Sequence, residues 1–313
     1  MPNRVRLVFA GTPTVAVPTL EALVEAGHEI AAVVTRPDAP IGRKRVLTPS
    51  PVAAAAERLG LDVVRAAKLD DEATAQISAL RPDLGVIVAY GGLVREPLLS
   101  APEHGWINLH FSLLPAWRGA APVQRSVMAG DQVTGASVFR LVPALDAGDV
   151  FATIETPIGL GETAGRLLDR LADLGAPLTV DVVAAIASGT AVAVPQEGQP
   201  TLAPKLDGLA GRIQWDRPGS EVWSHIRGVT PEPGAYTLVD DARLKVHAAA
   251  PAPDLPIDPP APGTIVEFDG LILVGTLDTP LQLLQVQPAG RTAMPAADWW
   301  RGAANGTDRL VTA

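Results

Sequence analysis

The sequence predicts an α/β protein: a mainly parallel sheet covered by helices, followed by a small antiparallel barrel of OB-like type. Three observations carry this. The first half alternates strand-like and helix-like runs with short connections. Residues 188–208 (SGTAVAVPQEGQPTLAPKLDG) are rich in Gly, Pro and polar residues. Beyond them, short β-like runs follow one another with turn signals between. A length of 313 residues suits two domains, placed at 1–189 and 209–313, with 190–208 as the linker.

Taken in order, Arg4 to Ala10 (RVRLVFA) reads as a buried strand. The segment after it puts Val17, Leu20 and Val24 on one helical face and closes at Gly27, a C-terminal cap. Glu29 to Thr35 and Leu84 to Ala89 are further strands, with helical segments near 51–59 and 70–80. Ile107 to His110 ends another strand, and 134–142 (TGASVFRLV) is strand-like. Glu162 to Ala187 is a long amphipathic helix carrying Leu167, Leu168, Leu171, Leu174 and Leu178. In the second half the β-like runs are Gly234–Val239, Arg243–Ala248, Gly263–Phe268, Leu271–Thr276 and Leu281–Gln287. The six prolines of 251–263 make that stretch a stiff loop.

Composition removes several classes of function. With no cysteine, disulfide frameworks, thiolate zinc sites and a cysteine nucleophile are excluded. The formal charge of −9 argues against indiscriminate binding to nucleic acid, though not against a local basic patch. The apolar run near the N-terminus is too short for a signal-peptide core, and no uncharged stretch reaches the ~18 residues of a membrane helix. A cytoplasmic protein without a membrane partner is the expectation. The turn after the first strand, AGTP, holds one glycine (Gly11) where a dinucleotide site wants three, and no GK[ST] loop follows. A nucleotide cofactor is not expected.

The stretch that carries chemistry is Trp106 to Arg118, WINLHFSLLPAWR. A period of two puts Trp106, Asn108 and His110 on one face of a strand, and the carboxyl end of such a strand is where open α/β sheets place their sites. Taken alone, the pair could equally be a strand end satisfying two polar groups locally. The loop Pro143 to Asp149, PALDAGD, sets Asp146 among small residues, where an aspartate often does no more than stabilise a turn. Together Asn, His and Asp supply an oxyanion donor, a proton carrier and a carboxylate to orient that carrier. Within Thr35 to Ser50, Arg36, Arg43, Lys44 and Arg45 stand against Asp38, which reads either as a solvated basic loop or as a phosphate-meeting one.

In chain order, FAGTP, TRPDAPIGRKR, PSPV, VIVAYGG, NLHFSLLPAWRGAAPVQ, VTGAS and LDAGD resemble the methionyl-tRNA formyltransferase family. The tail (RIQWDRPGSEVWSHIRGVTPEPGAY, then LQVQPAG) resembles that family's second domain, so the likeness covers essentially the whole chain. SLLP followed by WRG is shared by folate-dependent formyltransferases more widely; RGAAPVQ points to the tRNA enzymes.

The resemblance implies a Rossmann-like formyltransferase domain and an OB-like second domain. It implies Asn108, His110 and Asp146 as catalytic residues, with 10-formyltetrahydrofolate as formyl donor and no metal. Ser112, Leu113, Leu114 and Pro115 match the folate-contacting SLLP, with Val86 to Tyr90 walling the same pocket. Initiator methionyl-tRNA is the implied acceptor, met by Arg43 of the basic loop. In the acidic second domain Arg212, Arg227, Lys245, Arg291 and Arg301 are candidate tRNA contacts. A monomer is expected. Phe111 and Val15 depart from the family pattern and bear on pocket shape. The alternative is a related formyltransferase acting on a sugar amine.

Overall fold

β1 (Arg6–Gly11) is buried in all but its first residue, and it lies inside a seven-stranded sheet. β2 (Glu29–Thr35) and β3 (Val63–Arg65) extend the sheet on one side. On the other side come β4 (Leu84–Val88), β5 (Trp106–His110), β6 (Val133–Arg140) and β7 (Val150–Pro157), in the order β7-β6-β5-β4-β1-β2-β3. β1 to β5 pair in parallel, and β6 runs antiparallel to β5. The near-continuous apolar runs of β1 and β4 are what strands covered on both faces require. The computed structural model describes residues 4–42, 44–252, 254, 256, 258–303 and 309–312.

Local chemistry explains the helix starts. α1 (Val17–Glu25) carries a proline in its first turn, where the missing N–H costs nothing. α2 (Pro51–Arg58) begins at PSPV, where the Ser50 hydroxyl accepts from the Ala53 N–H at 3.0 Å. Asp70 caps α3 (Asp71–Ala79) in the same way through the Ala73 N–H at 3.1 Å. α1 buries Thr19, Leu20 and Leu23, so the stripe expected through Val17 and Val24 is rotated by part of a turn.

The chain folds as two units. The first takes the stretch up to Pro122 together with Thr134–Thr156 and Leu168–Ala203; the second takes Val123–Val133, Pro157–Leu167 and everything from Pro204. Residues 194–203 pack within the first unit, where Val194 bridges Val150 and Leu202–Ala203 pairs in parallel with Arg118–Gly119. α4 (Pro122–Ala129) and α5 (Ala164–Ala187) each contribute residues to both units.

The second unit is an antiparallel sheet. It holds β8 (Tyr236–Val239), β9 (Ala242–Pro251), β10 (Thr264–Phe268), β11 (Leu271–Val274), β12 (Leu281–Pro288) and β13 (Arg309–Val311), in the order β8-β9-β12-β11-β10-β13. An isolated bridge, Val239 to Thr312, links the first strand to the residue after the last and curls the sheet. The β8–β9 and β10–β11 connections have two residues each, all with positive φ, the turn that matches strand twist. α6 (Gly219–Gly228) and α7 (Ala296–Ala303), neither expected from the sequence, bring Val222, Ile226, Trp299 and Trp300 into the core with Trp215 and Ile265.

Candidate functional site

Asn108 and His110 sit on β5, whose inward face also carries Trp106. Trp106 is buried against Val8, Ala32 and Ile87, and its ring lies where a β-carbon on Gly85 of β4 would come within 2.1 Å of it. No larger residue fits at position 85 while this ring is there. Asn108 is the one half-buried residue of a strand otherwise buried, and its amide has no hydrogen-bond partner among the described residues.

His110 lies at the strand's carboxyl end, edge-on to Phe139 with centroids 6.3 Å apart. Its Nε2 is 2.9 Å from the Trp117 carbonyl oxygen. A carbonyl only accepts, so Nε2 carries the proton and Nδ1 is left with its lone pair. Nδ1 is 3.9 Å from Asp146 Oδ2, both side chains being largely buried. Burial holds the imidazole below its ordinary range, against the opposing pull of the Asp146 charge and the Trp117 carbonyl. The resting imidazole is thus neutral and able to take a proton on the side of the carboxylate.

Asp146 is held by its own loop, which connects β6 to β7. Its Oδ2 accepts from the Gly119 N–H at 2.7 Å, and its backbone is left-handed, with φ of +44°. Two residues on, a β-carbon at Gly148 would lie 1.8 Å from the Arg140 carbonyl, so LDAGD can fold back on the strand end only with glycine there. His110 and Asp146 thus meet at 3.9 Å, and Asn108 stands two residues before His110 on the same strand.

The SLLP turn is pinned rather than open. Ser112 is fully buried; its hydroxyl donates to the Ala116 carbonyl at 2.6 Å. Ser137 of β6 donates to the Ser112 carbonyl at 2.7 Å and accepts from the Leu114 N–H at 3.2 Å. Leu113, Leu114 and Pro115 remain partly accessible. Phe111 and Val15, the two departures, are both buried. Nearby, Thr12 of AGTP donates to the Tyr90 carbonyl at 3.2 Å, and the Tyr90 hydroxyl donates to the Ala66 carbonyl at 3.0 Å.

The basic loop is less irregular than its composition suggests: Ala39–Ile41 and Val46–Thr48 pair as a short antiparallel hairpin. Asp38 turns to Arg65 at 3.0 Å, and Lys44 and Arg45 are exposed. Arg43 lies outside the described residues. In the second unit Arg227 is spent internally. It stacks 4.3 Å over Trp223, donates to Ser224 at 3.0 Å, and is held below its usual range by burial. Arg212 instead lines an open cavity of about 700 Å³ with Arg125, Arg217, Glu221 and His225, a gathering of guanidinium groups that residue spacing does not reveal. Among the described residues no group of His, Asp and Glu could hold a metal ion, and no helix is long and apolar enough to cross a membrane.

Two buried histidines, His28 and His110, and the half-buried His225 give the fold a pH dependence. His28, His110 and His225 are all held below the ordinary imidazole value, first of all by burial. The unfolded chain therefore binds more protons than the folded one below about pH 6.5. Stability is full above that pH and is lost as pH falls through the depressed values. Thermal melts from pH 8 to pH 5 should show a falling midpoint below about pH 6.5. His28→Gln, at a site whose Nδ1 has no partner among the described residues, should flatten part of that slope, and an unchanged slope would remove His28 from it.

Residues 4–183 match the formyl transferase family and residues 205–304 match the formyl transferase C-terminal domain. The chain is 64% identical to the methionyl-tRNA formyltransferase of Clavibacter sepedonicus, over 95% of this chain and 97% of that protein. It is 51% identical to the methionyl-tRNA formyltransferase of Acidothermus cellulolyticus, again over 95% and 97%. Among solved structures it is similar in fold to HypX from Aquifex aeolicus in complex with tetrahydrofolic acid, with a TM-score of 0.65 at 16% identity over 97% of this chain and 48% of that one. WlaRD, a sugar 3N-formyl transferase, gives a TM-score of 0.67 at 14% identity over 92% and 99%. The chain is a formyl transferase. It belongs to the methionyl-tRNA formyltransferase family.

Proposed function

We propose that this enzyme moves the formyl group of 10-formyltetrahydrofolate to the α-amino group of methionyl initiator tRNA, with Asn108, His110 and Asp146 as its reacting groups. The observation that carries the assignment of roles is the largely buried His110–Asp146 pair at 3.9 Å, beside an Asn108 amide without a hydrogen-bond partner among the described residues. The amine attacks the formyl carbon and a carbon–nitrogen bond forms. As the carbonyl oxygen gains charge, the Asn108 N–H donates to it; one such donor is typically worth about 3 kcal/mol. His110, neutral at rest, accepts the proton the amine sheds, and the imidazolium is stabilised by Asp146 and by the neighbouring oxyanion. The intermediate then collapses, the bond to N10 of the folate breaks, and that nitrogen takes a proton. Leu113, Leu114 and Pro115 border the donor's pocket, with Ser112 supporting the turn from behind. The second domain, with its curled antiparallel sheet, is OB-like, and the reaction takes place in the cytoplasm.

Arg43 separates a tRNA acceptor from a sugar amine. An arginine engages a phosphate through a planar fork that lysine cannot reproduce. Arg43→Ala should depress kcat/KM for methionyl-tRNA by ~10-fold or more, about the 1.5–3 kcal/mol of one charge-assisted contact, while binding of 10-formyltetrahydrofolate is nearly unchanged. Arg43→Lys should recover part of the loss. The log–log salt dependence of tRNA binding should shallow by about one unit or less. Formyl transfer to methionyl-tRNA, free methionine and a nucleotide-linked sugar amine, measured side by side, tests the whole reading. Turnover of the sugar amine in preference to methionyl-tRNA would reject it.

A further inference from the structure

We propose that Gln196, in the segment that composition marks as linker, is a positioning residue that sets the Asp146 carboxylate against His110. The proposal deepens the reading given above and rests on Asp146 being one of the reacting groups.

The Gln196 amide is fully used. Its Nε2 donates to the Asp146 carbonyl and to the Gly148 carbonyl, each at 2.8 Å. Its Oε1 accepts from Arg118 twice, from Nε at 3.1 Å and from a terminal nitrogen at 2.6 Å. The chemistry of the neighbours fixes which way round the amide lies. A guanidinium has donors only, and the two carbonyls accept only, so oxygen must face Arg118 and nitrogen must face the loop. No other uncharged side chain of this length could meet both neighbours at once. A glutamate would keep the Arg118 contact and turn a second acceptor on the two carbonyls.

What Gln196 grips is the carbonyl of Asp146 itself and that of Gly148 two residues on, just after a left-handed backbone that residues with a β-carbon avoid. What grips Gln196 belongs to the same three-residue stretch that touches the reacting pair. The Trp117 carbonyl accepts from His110 Nε2 at 2.9 Å, and the Gly119 N–H donates to Asp146 Oδ2 at 2.7 Å. Arg118, between them, holds Gln196. The segment carrying Gln196 is itself fastened on both sides. Val194 and Val150 exchange backbone hydrogen bonds at 2.8 and 2.9 Å, and Thr201 accepts from the Trp117 N–H at 2.8 Å. Gln196 thus ties the loop that aims the carboxylate to the turn that holds the imidazole. A displacement of about 1 Å at a reacting group can cost on the order of 10²-fold in rate.

The test is a double-mutant cycle in formyl transfer by the full chain, read in single turnover where rates are low. Gln196→Met keeps length and removes every hydrogen bond; Gln196→Glu keeps the contact to Arg118 and cannot donate to the loop. Each is made alone and in Asp146→Asn, which retains the backbone carbonyl that Gln196 holds. Both single variants should lower kcat by about 10- to 100-fold, with KM for 10-formyltetrahydrofolate and for methionyl-tRNA within about twofold. In Asp146→Asn the further loss from either change should shrink to about twofold or less, because the group being aimed is gone. A loss of the same factor in both backgrounds, or a rise in KM with kcat intact, would make Gln196 a fastening for the fold and overturn the proposal. So would wild-type turnover by either variant at an unchanged melting temperature. If Asp146→Asn itself turns over normally, the catalytic reading fails first and takes this proposal with it. An inactive Asp146→Asn beside a fully active Gln196→Met removes this proposal alone.

Discussion

Asp146→Asn lowers kcat by about 10²- to 10⁴-fold, the range of a general acid–base contribution, and leaves the fold intact. The substitution keeps an oxygen able to accept from the Gly119 N–H, which lies 2.7 Å from Oδ2. It removes the charge that offsets the burial of His110. Without that charge the imidazole is harder still to protonate, and the proton leaving the amine has nowhere favourable to go. Affinity for 10-formyltetrahydrofolate should change little, since the carboxylate acts on the charge that develops and not on the bound donor. Steady-state kinetics beside a thermal melt decide the matter. Near wild-type turnover would take Asp146 out of the mechanism, whereas a lost melt would show it to be structural.

Asn108→Ala is expected to reduce kcat by about 10²- to 10³-fold, the cost of removing one oxyanion donor, again with little effect on folate binding. Asn108 is half-buried and its amide has no partner among the described residues, so the truncation breaks no internal hydrogen bond. His110→Ala should fall as far or farther. It also removes a buried ring packed edge-on to Phe139, so its melting temperature must be compared before its rate is interpreted. The double variant should lose less than the product of the two single losses, because groups that act on one transition state are not independent. Losses that multiply would contradict a shared constellation.

Much of the first unit is legible in the sequence because its strands are buried on both faces. Glu29–Thr35 coincides with its apolar run, and Leu84–Val88 falls one residue short of the run read for it. Val63–Arg65 escapes because three residues show no period, and Val150–Pro157 because its exposure is mixed, as at a sheet edge. In α5 the leucines mark the helix, but much of its buried face is Ala172, Ala176, Val183 and other small or branched residues. Leu168, Leu174 and Leu178 are only partly covered. Asn108, His110 and Asp146 stand out in the sequence as candidates because their residue types fit one reaction. Gln196 does not. Nothing about a glutamine among prolines and glycines announces partners lying 78 and 50 residues earlier in the chain. Arg125 and Arg217 are hidden for the same reason, since only folding brings them beside Arg212.

Those long separations have a consequence for the order in which the enzyme is made. Asn108, His110 and Asp146 emerge from the ribosome well before Gln196 and Thr201, the residues that fasten Asp146 and Trp117. Synthesis at ~5–20 residues per second leaves an interval of several seconds between the two groups. During it the nascent sheet carries Asn108, His110 and Asp146 without the contacts of Gln196 and Thr201. Closing so long a stretch of chain carries an entropic penalty that rises only slowly with its length, so the delay is set by the arrival of residues 194–203 rather than by their search for a partner. On the roles proposed for Asp146 and Gln196, the centre is complete only once residues 194–203 have been made.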